Sequence, residues 1–182
     1  TVVVDMPINT YKSFNIAKRN VANVFKQTKC DAVKLESDGK NFAIIRRLVN
    51  LGFPIMGHIG YTPQNKSKFK PQGLKKNEEK KLIEEALEIE KAGAFSMVLE
   101  CIGEQTSKKI TKVTNIPTIG IGSSKFCDGQ ILVTDDLIGI SGFKPKFVKK
   151  YINLKKILEK TFFKFKMDVL NHKFPARKNS FN

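Results

Sequence analysis

An α/β fold built on a parallel sheet is what this sequence predicts, and three features predict it. Short apolar or β-branched runs recur along the chain. Longer segments with apolar residues at helical spacing stand between them, and several short runs end in charged or glycine-rich stretches. Strands separated by crossover-length helical segments pair in parallel, because the chain must return to the same end of the sheet before the next strand starts.

Taken in order, residues 1–4 are β-branched throughout and lead to Asp5, Met6 and Pro7, a strand followed by a loop. Residues 13–28 place Phe14, Ala17, Val21, Val24 and Phe25 at helical spacing, with Ser13 suited to the N-cap. Residues 32–36 form a second strand. Phe42, Ile45, Leu48 and Val49 give residues 41–51 one apolar face, and Gly52 follows as a helix stop. Residues 55–57 are a third strand inside FPIMGHIGYTPQ (53–64), which reads as a buried strand delivering a functional loop with His58 at its carboxyl end. Tight turns at Gly57 and Gly60 around a structural histidine fit the same residues.

After a polar loop at 65–76, Asn77 caps a helix whose first turn carries Glu78 and Glu79 and which Gly93 ends. Residues 95–99 are a fourth strand, 104–113 a helix, 117–121 a fifth strand and 131–133 a sixth. Pro145 suits the first turn of a last helix, striped by Phe147, Tyr151, Leu154, Leu158 and Phe162. The pattern leaves an open doubly wound sheet and a closed (βα)8 barrel equally possible. The chain opens inside a strand at Thr1, and a barrel of about 250 residues spends about 31 per unit. The expectation is a barrel lacking its first two βα units.

The 182 residues suffice for one domain with a real core. No apolar run reaches the roughly 18–20 residues of a membrane span, and no signal-peptide pattern is present. Cys30, Cys101 and Cys127 are odd in number and widely spaced, which argues against a disulfide framework or zinc site and suits a cytoplasmic protein. The net charge of +16 divides unevenly: 21 Lys/Arg against 15 Asp/Glu through residue 143, then 12 against 2. Only Arg19, Arg46, Arg47 and Arg177 are arginines, and no nucleic-acid-binding motif accompanies the charge. A lysine-rich solvated surface is expected, with neither nucleic acid nor membrane as partner.

Asp5, Glu36 and Glu100 each stand at the carboxyl end of a different expected strand. Lys34, two residues before Glu36, projects from the same face, while Val33 and Leu35 face the other way. Charged groups pointing inward need each other or a ligand. Solvated strand ends or an internal ion pair account for them equally well.

VVVDMP (2–7), VKLE (33–36), GHIGYTPQ (57–64), EKAGAFSMVLEC (90–101), IPTIGIG (116–122), CDGQILV (127–133) and PKFVKKY (145–151) follow one another along the chain, with FPARKNSF (174–181) near its end. In this order and spacing they resemble the ketopantoate hydroxymethyltransferase family. The resemblance implies a (βα)8 TIM barrel of the phosphoenolpyruvate/pyruvate type, here six βα units in a single partial catalytic domain over 1–182, with a C-terminal helix and basic tail over 144–182. It implies hydroxymethyl transfer from 5,10-methylenetetrahydrofolate to the keto acid 3-methyl-2-oxobutanoate, giving 2-dehydropantoate and tetrahydrofolate at the first step of pantothenate and coenzyme A synthesis. A bound Mg2+ would stabilise the enolate. Matched residue by residue, Asp5 and Glu36 are metal ligands, Asp5, Lys34 and His58 contact substrate, and Glu100 is the catalytic base. The resemblance also implies a homo-oligomer, with the helix after Pro145 near subunit contacts.

Four departures stand out. The family's GDS segment, a further metal ligand and keto-acid grip, is absent. Ser37-Asp38 replaces a glycine pair, Tyr61 stands where a smaller aliphatic residue is usual, and Ser123-Ser124 follows IGIG in place of Ala-Gly. The expectation is that this polypeptide alone is inactive or aggregates; magnesium-dependent turnover by it would contradict that. A related magnesium-dependent C–C lyase or mutase, and an inactive basic binding protein, are the alternatives.

Overall fold

A computed structural model of the chain describes residues 1–37, 39–64, 69–142 and 145–181, so the Asp38 departure and part of the 65–76 loop lie outside the described residues. The chain forms two compact units, Thr1–Ile131 and Leu132–Asn182.

The first unit is a six-stranded parallel sheet in the order β1-β2-β3-β4-β5-β6. Its strands are β1 (Val3–Asp5), β2 (Ala32–Glu36), β3 (Ile55–Gly60), β4 (Ser96–Glu100), β5 (Thr118–Ile121) and β6 (Gly129–Gln130). The first four are followed by α1 (Phe14–Gln27), α2 (Phe42–Asn50), α3 (Lys76–Lys91) and α4 (Glu104–Val113). A doubly wound sheet reverses its strand order at a switch point. Strictly sequential order is that of a TIM barrel, and six strands of such a barrel are present.

Alternation along the strands divides the sheet into two faces. Val33 and Leu35 of β2, Ile55 and Ile59 of β3, and Met97 and Leu99 of β4 share one face and are fully or almost fully buried. They join Val21 of α1, Ile45 and Leu48 of α2, Leu82 and Ile89 of α3, and Ile110 of α4 in one core cluster. The opposite face carries Asp5, Lys34, Glu36, His58 and Glu100. The fold therefore uses one face for cohesion and keeps its ionisable groups on the other.

Several local expectations need correction. β3 runs on through His58, Ile59 and Gly60, because β2 and β4 pair with it on both sides (Glu36↔His58 and Gly60↔Glu100). His58 is thus a strand residue. Asn77 does not cap α3: the helix starts one residue earlier, and the Asn77 side chain accepts from the Glu78 N–H at 3.0 Å. β6 is residues 129–130 instead of 131–133. The Asp128 carboxylate accepts from the Thr118 N–H and hydroxyl at 2.8 and 2.9 Å, so pairing starts at Ile119↔Gly129. Ile131 and Val133 are left 50% and 54% exposed.

The second unit contains α5 (Thr134–Leu137), α6 (Leu154–Leu170) and a 3-10 turn (Arg177–Asn179). Pro145 does not open the last helix. Asn153 caps α6 by accepting from the Lys156 N–H at 3.1 Å, and the residues before it are tied to the end of α5 by Tyr151 N–H donating to Leu137 O. Of the expected stripe only Leu154, Leu158 and Phe162 lie in α6, and no α6 residue is fully buried. No described helix is long and apolar enough to cross a membrane.

Candidate functional site

Parallel pairing brings the five charged or polar residues of the second face together at the carboxyl ends of β1–β4. The register sets Asp5 beside Lys34, Glu36 beside His58, and Gly60 beside Glu100. Lys34 Nζ lies 3.0 Å from Asp5 Oδ2 and 3.1 Å from His58 Nδ1. On the other side of the imidazole, Nε2 lies 3.2 Å from Glu100 Oε2. Glu36 Oε1 is 3.9 Å from Nδ1, outside hydrogen-bond range. All five residues singled out in the sequence are thus gathered at one end of the sheet.

Burial is uneven across the group. His58 and Glu36 are enclosed, at 1% and 2% side-chain exposure, whereas Asp5 is half exposed. Lys34 and Glu100 lie between these extremes. The Glu36 carboxyl is raised above its ordinary range by burial, against the opposing pull of His58, the Gln64 N–H and Lys34. A carboxyl that binds its proton more tightly folded than unfolded costs stability once it ionises. Relative to a Glu36→Gln variant, the chain should therefore lose stability as pH rises above the ordinary value of 4.5, with no relative loss below it. Urea unfolding midpoints of both proteins, in chelator from about pH 4 to about pH 7, measure that gap. A gap that stays constant or closes with rising pH would contradict the assignment.

Two residues that sequence reasoning passed over hold Glu36 in place. The Gln64 N–H donates to its carboxylate at 3.4 Å, and the Gln64 side chain donates to Met6 O at 3.2 Å, drawing the loop after β3 over the ends of β1 and β2. Asn41 donates to Glu36 O at 2.9 Å, and its own Oδ1 is buried without a hydrogen-bond partner. Gln64 closes the motif GHIGYTPQ, and that was its only signal. Asn41 gave none beyond opening a helical segment.

Two departures from the family pattern also acquire a setting. Tyr61 packs edge-on against Phe69, ring centroids 5.3 Å apart. The Ser123 hydroxyl donates to Leu99 O at 2.6 Å and accepts from the Ile102 N–H at 3.1 Å. It clamps the backbone on both sides of Glu100 and Cys101, where Cys101 takes an uncommon positive φ of 50°. A cavity of about 270 Å³ lies between the loop after β1 and the start of α2, lined in part by Glu36, Asn41, Lys12 and Lys40. Among the described residues, no group of three or more His, Cys, Asp and Glu side chains is gathered as a metal site. The carboxylates on this face are Asp5, Glu36 and Glu100. Chemically the arrangement joins a lysine donor, a buried imidazole and a partly accessible carboxylate, while Glu36 alone of the five lines the cavity.

The family profile described as ketopantoate hydroxymethyltransferase matches residues 1–177. A Pelagibacter ubique protein named 3-methyl-2-oxobutanoate hydroxymethyltransferase is 46% identical over 180 residues, covering 99% of this chain and 70% of that protein. Proteins of the same name from Pseudothermotoga lettingae and Thermosipho africanus are 45% and 42% identical, each over 99% of this chain, covering 70% and 69% of their own lengths.

Proposed function

Because the chain belongs to the ketopantoate hydroxymethyltransferase family, and is by that membership a transferase, we propose that it converts 3-methyl-2-oxobutanoate, 5,10-methylenetetrahydrofolate and water into 2-dehydropantoate and tetrahydrofolate. The observation that carries this reading is the row Lys34–His58–Glu100, linked at 3.1 and 3.2 Å on one face of the sheet. Enolisation of a keto acid needs a base at the carbon and a donor at the oxygen. Glu100, at the β4 end of the row and 16% exposed, takes the C3 proton. Lys34 donates to the oxygen on which charge develops, and the enolic carbon bonds to the methylene carbon supplied by the folate as its two carbon–nitrogen bonds break. Water supplies the hydroxyl, and the C3 proton and one water proton end on the two nitrogens.

Asp5 and Glu36 fit Mg2+, which binds through one or two carboxylates completed by water and substrate oxygens. The buried Glu36 carboxylate, disfavoured by desolvation, is a group that an adjacent cation would stabilise. Bound there, Mg2+ would supply Lewis acidity to the keto and carboxylate oxygens. Homo-oligomerisation is part of the reading, supported by Phe162, Phe163 and Leu170 standing 66%, 65% and 61% exposed on α6.

The test uses the chain itself and a chimera in which it replaces the matching 70% of the Pelagibacter ubique protein. The chimera is expected to form 2-dehydropantoate from 3-methyl-2-oxobutanoate and the folate donor with Mg2+, and to stop when chelator is added. Turnover of another keto acid with none of this one would overturn the substrate assignment.

A further inference from the structure

Across β1–β4 the polar contacts form a continuous row: Asp5 Oδ2 to Lys34 Nζ at 3.0 Å, Lys34 Nζ to His58 Nδ1 at 3.1 Å, and His58 Nε2 to Glu100 Oε2 at 3.2 Å. An ammonium group has donors only. Its contact therefore requires Nδ1 to accept, which leaves the proton of a neutral imidazole on Nε2, facing Glu100. Either a proton on Nδ1 or one on each nitrogen would set donor against donor at 3.1 Å. Glu36 Oε1, at 3.9 Å, is too far to draw the proton to Nδ1.

We propose that His58 is a positioning residue, held by Lys34 in the Nε2–H tautomer, which orients the Glu100 carboxylate and ties that orientation to the keto-acid site at Lys34. The inference rests on the proposed function for what Glu100 does; the tautomer stands on geometry alone. At 1% exposure, His58 has almost no access to water that could replace either contact. Its Nε2 is buried and has no aligned hydrogen-bond partner, although Glu100 Oε2 is 3.2 Å away. The carboxylate sits off the N–H axis, and catalytic hydrogen bonds commonly align only when substrate arrives. Glu100 is 16% exposed, whereas the ring is 1% exposed. A keto acid that engages Lys34 thus acts on the same nitrogen pair that aims the base.

Histidine 15N correlation spectra test the tautomer directly, and the chain has only two histidines, His58 and His172. A His172→Gln variant assigns the signals. The expected spectrum has His58 protonated on Nε2 and bare on Nδ1, with Lys34→Met moving the balance toward Nδ1–H. Kinetics in the chimera supply the second readout. The His58→Gln amide reaches the Nε2 position, whereas the His58→Asn amide reaches only Nδ1. His58→Asn should lower kcat by about 10–100-fold, the usual cost of losing such an orienting partner, with little change in KM. His58→Gln should retain more activity; a side chain that only fills space would give equal losses. A wild-type His58 protonated on Nδ1 or on both nitrogens would overturn the proposal, as would equal kcat for the two variants. An Nε2–H signal with no turnover by any chimera supports the row of contacts and overturns the enzymatic reading it serves.

Discussion

Replacing Glu100 by glutamine is expected to cut product formation by about 10²–10⁴-fold, the range for loss of a general base, while keto-acid binding stays within a few-fold. The substitution keeps the side chain's size and leaves an oxygen to meet His58 Nε2, now 3.2 Å away. What disappears is the carboxylate that accepts a carbon-bound proton. Neither Lys34 nor His58 replaces it in the proposed arrangement. An ammonium has no lone pair to accept with, and the imidazole's one accepting nitrogen is already engaged by that ammonium. Turnover by the chimera and calorimetric titration with 3-methyl-2-oxobutanoate separate the two effects. Equal losses in binding and turnover would move Glu100 from base to substrate contact.

Gly60→Ala should be the most damaging single methyl addition near the site. A Cβ there would lie 2.2 Å from Glu100 O and 2.6 Å from Ile102 Cγ1, at a backbone φ of +97°. Positive-φ strain costs about 1–3 kcal/mol and overpacking another 1–3, so a loss of roughly 3 kcal/mol or more is expected. The obstacle is backbone, which has no rotamer to escape into. The same carbonyl accepts from the Tyr61 N–H at 2.8 Å, so the clash falls on the bond that joins β3 to the end of β4. Gly52→Ala is the control: its φ is +86°, but nothing lies within 4 Å of the added carbon. That variant should show the strain alone, about 1 kcal/mol. Urea unfolding of both reads the difference, and matching midpoints would show that the close approach carries no cost.

How much of this was written in the sequence depends on how local the cause is. β2 and α4 have the bounds their patterns imply, because a β-branched or alternating run and an amphipathic period are local signals. Ser13 caps α1 as its residue type suggests, accepting from the Ile16 N–H at 3.5 Å. Parity put Lys34 and Glu36 on one face, and Asp5, Glu36 and Glu100 were legible only as carboxylates at strand ends, equally compatible with solvated ends. Parallel pairing is what brings Lys34 to Asp5 and His58 to Glu100. His58 was read as loop because glycines flank it, yet two neighbouring strands hold it in the ladder. The sixth strand was misplaced because its register depends on Asp128 meeting Thr118 from ten positions away. Gln64 stayed hidden for the same reason: its partners Glu36 and Met6 lie 28 and 58 residues distant. Pro145 was a fair first-turn residue by its own dihedral, but a capping asparagine eight positions later took the helix start.

In the proposed reaction the rim of β1–β4 holds a keto acid so that Glu100 can take its C3 proton. Proton exchange at C3 of 3-methyl-2-oxobutanoate in D2O, with Mg2+ and without any folate donor, isolates that step from everything after it. Followed by NMR in the chimera, the C3 proton signal should be lost in an Mg2+-dependent exchange that Glu100→Gln abolishes and Asp5→Ala strongly slows. Exchange that persists unchanged in Glu100→Gln, or no exchange in a folded chimera that binds the keto acid, would contradict it.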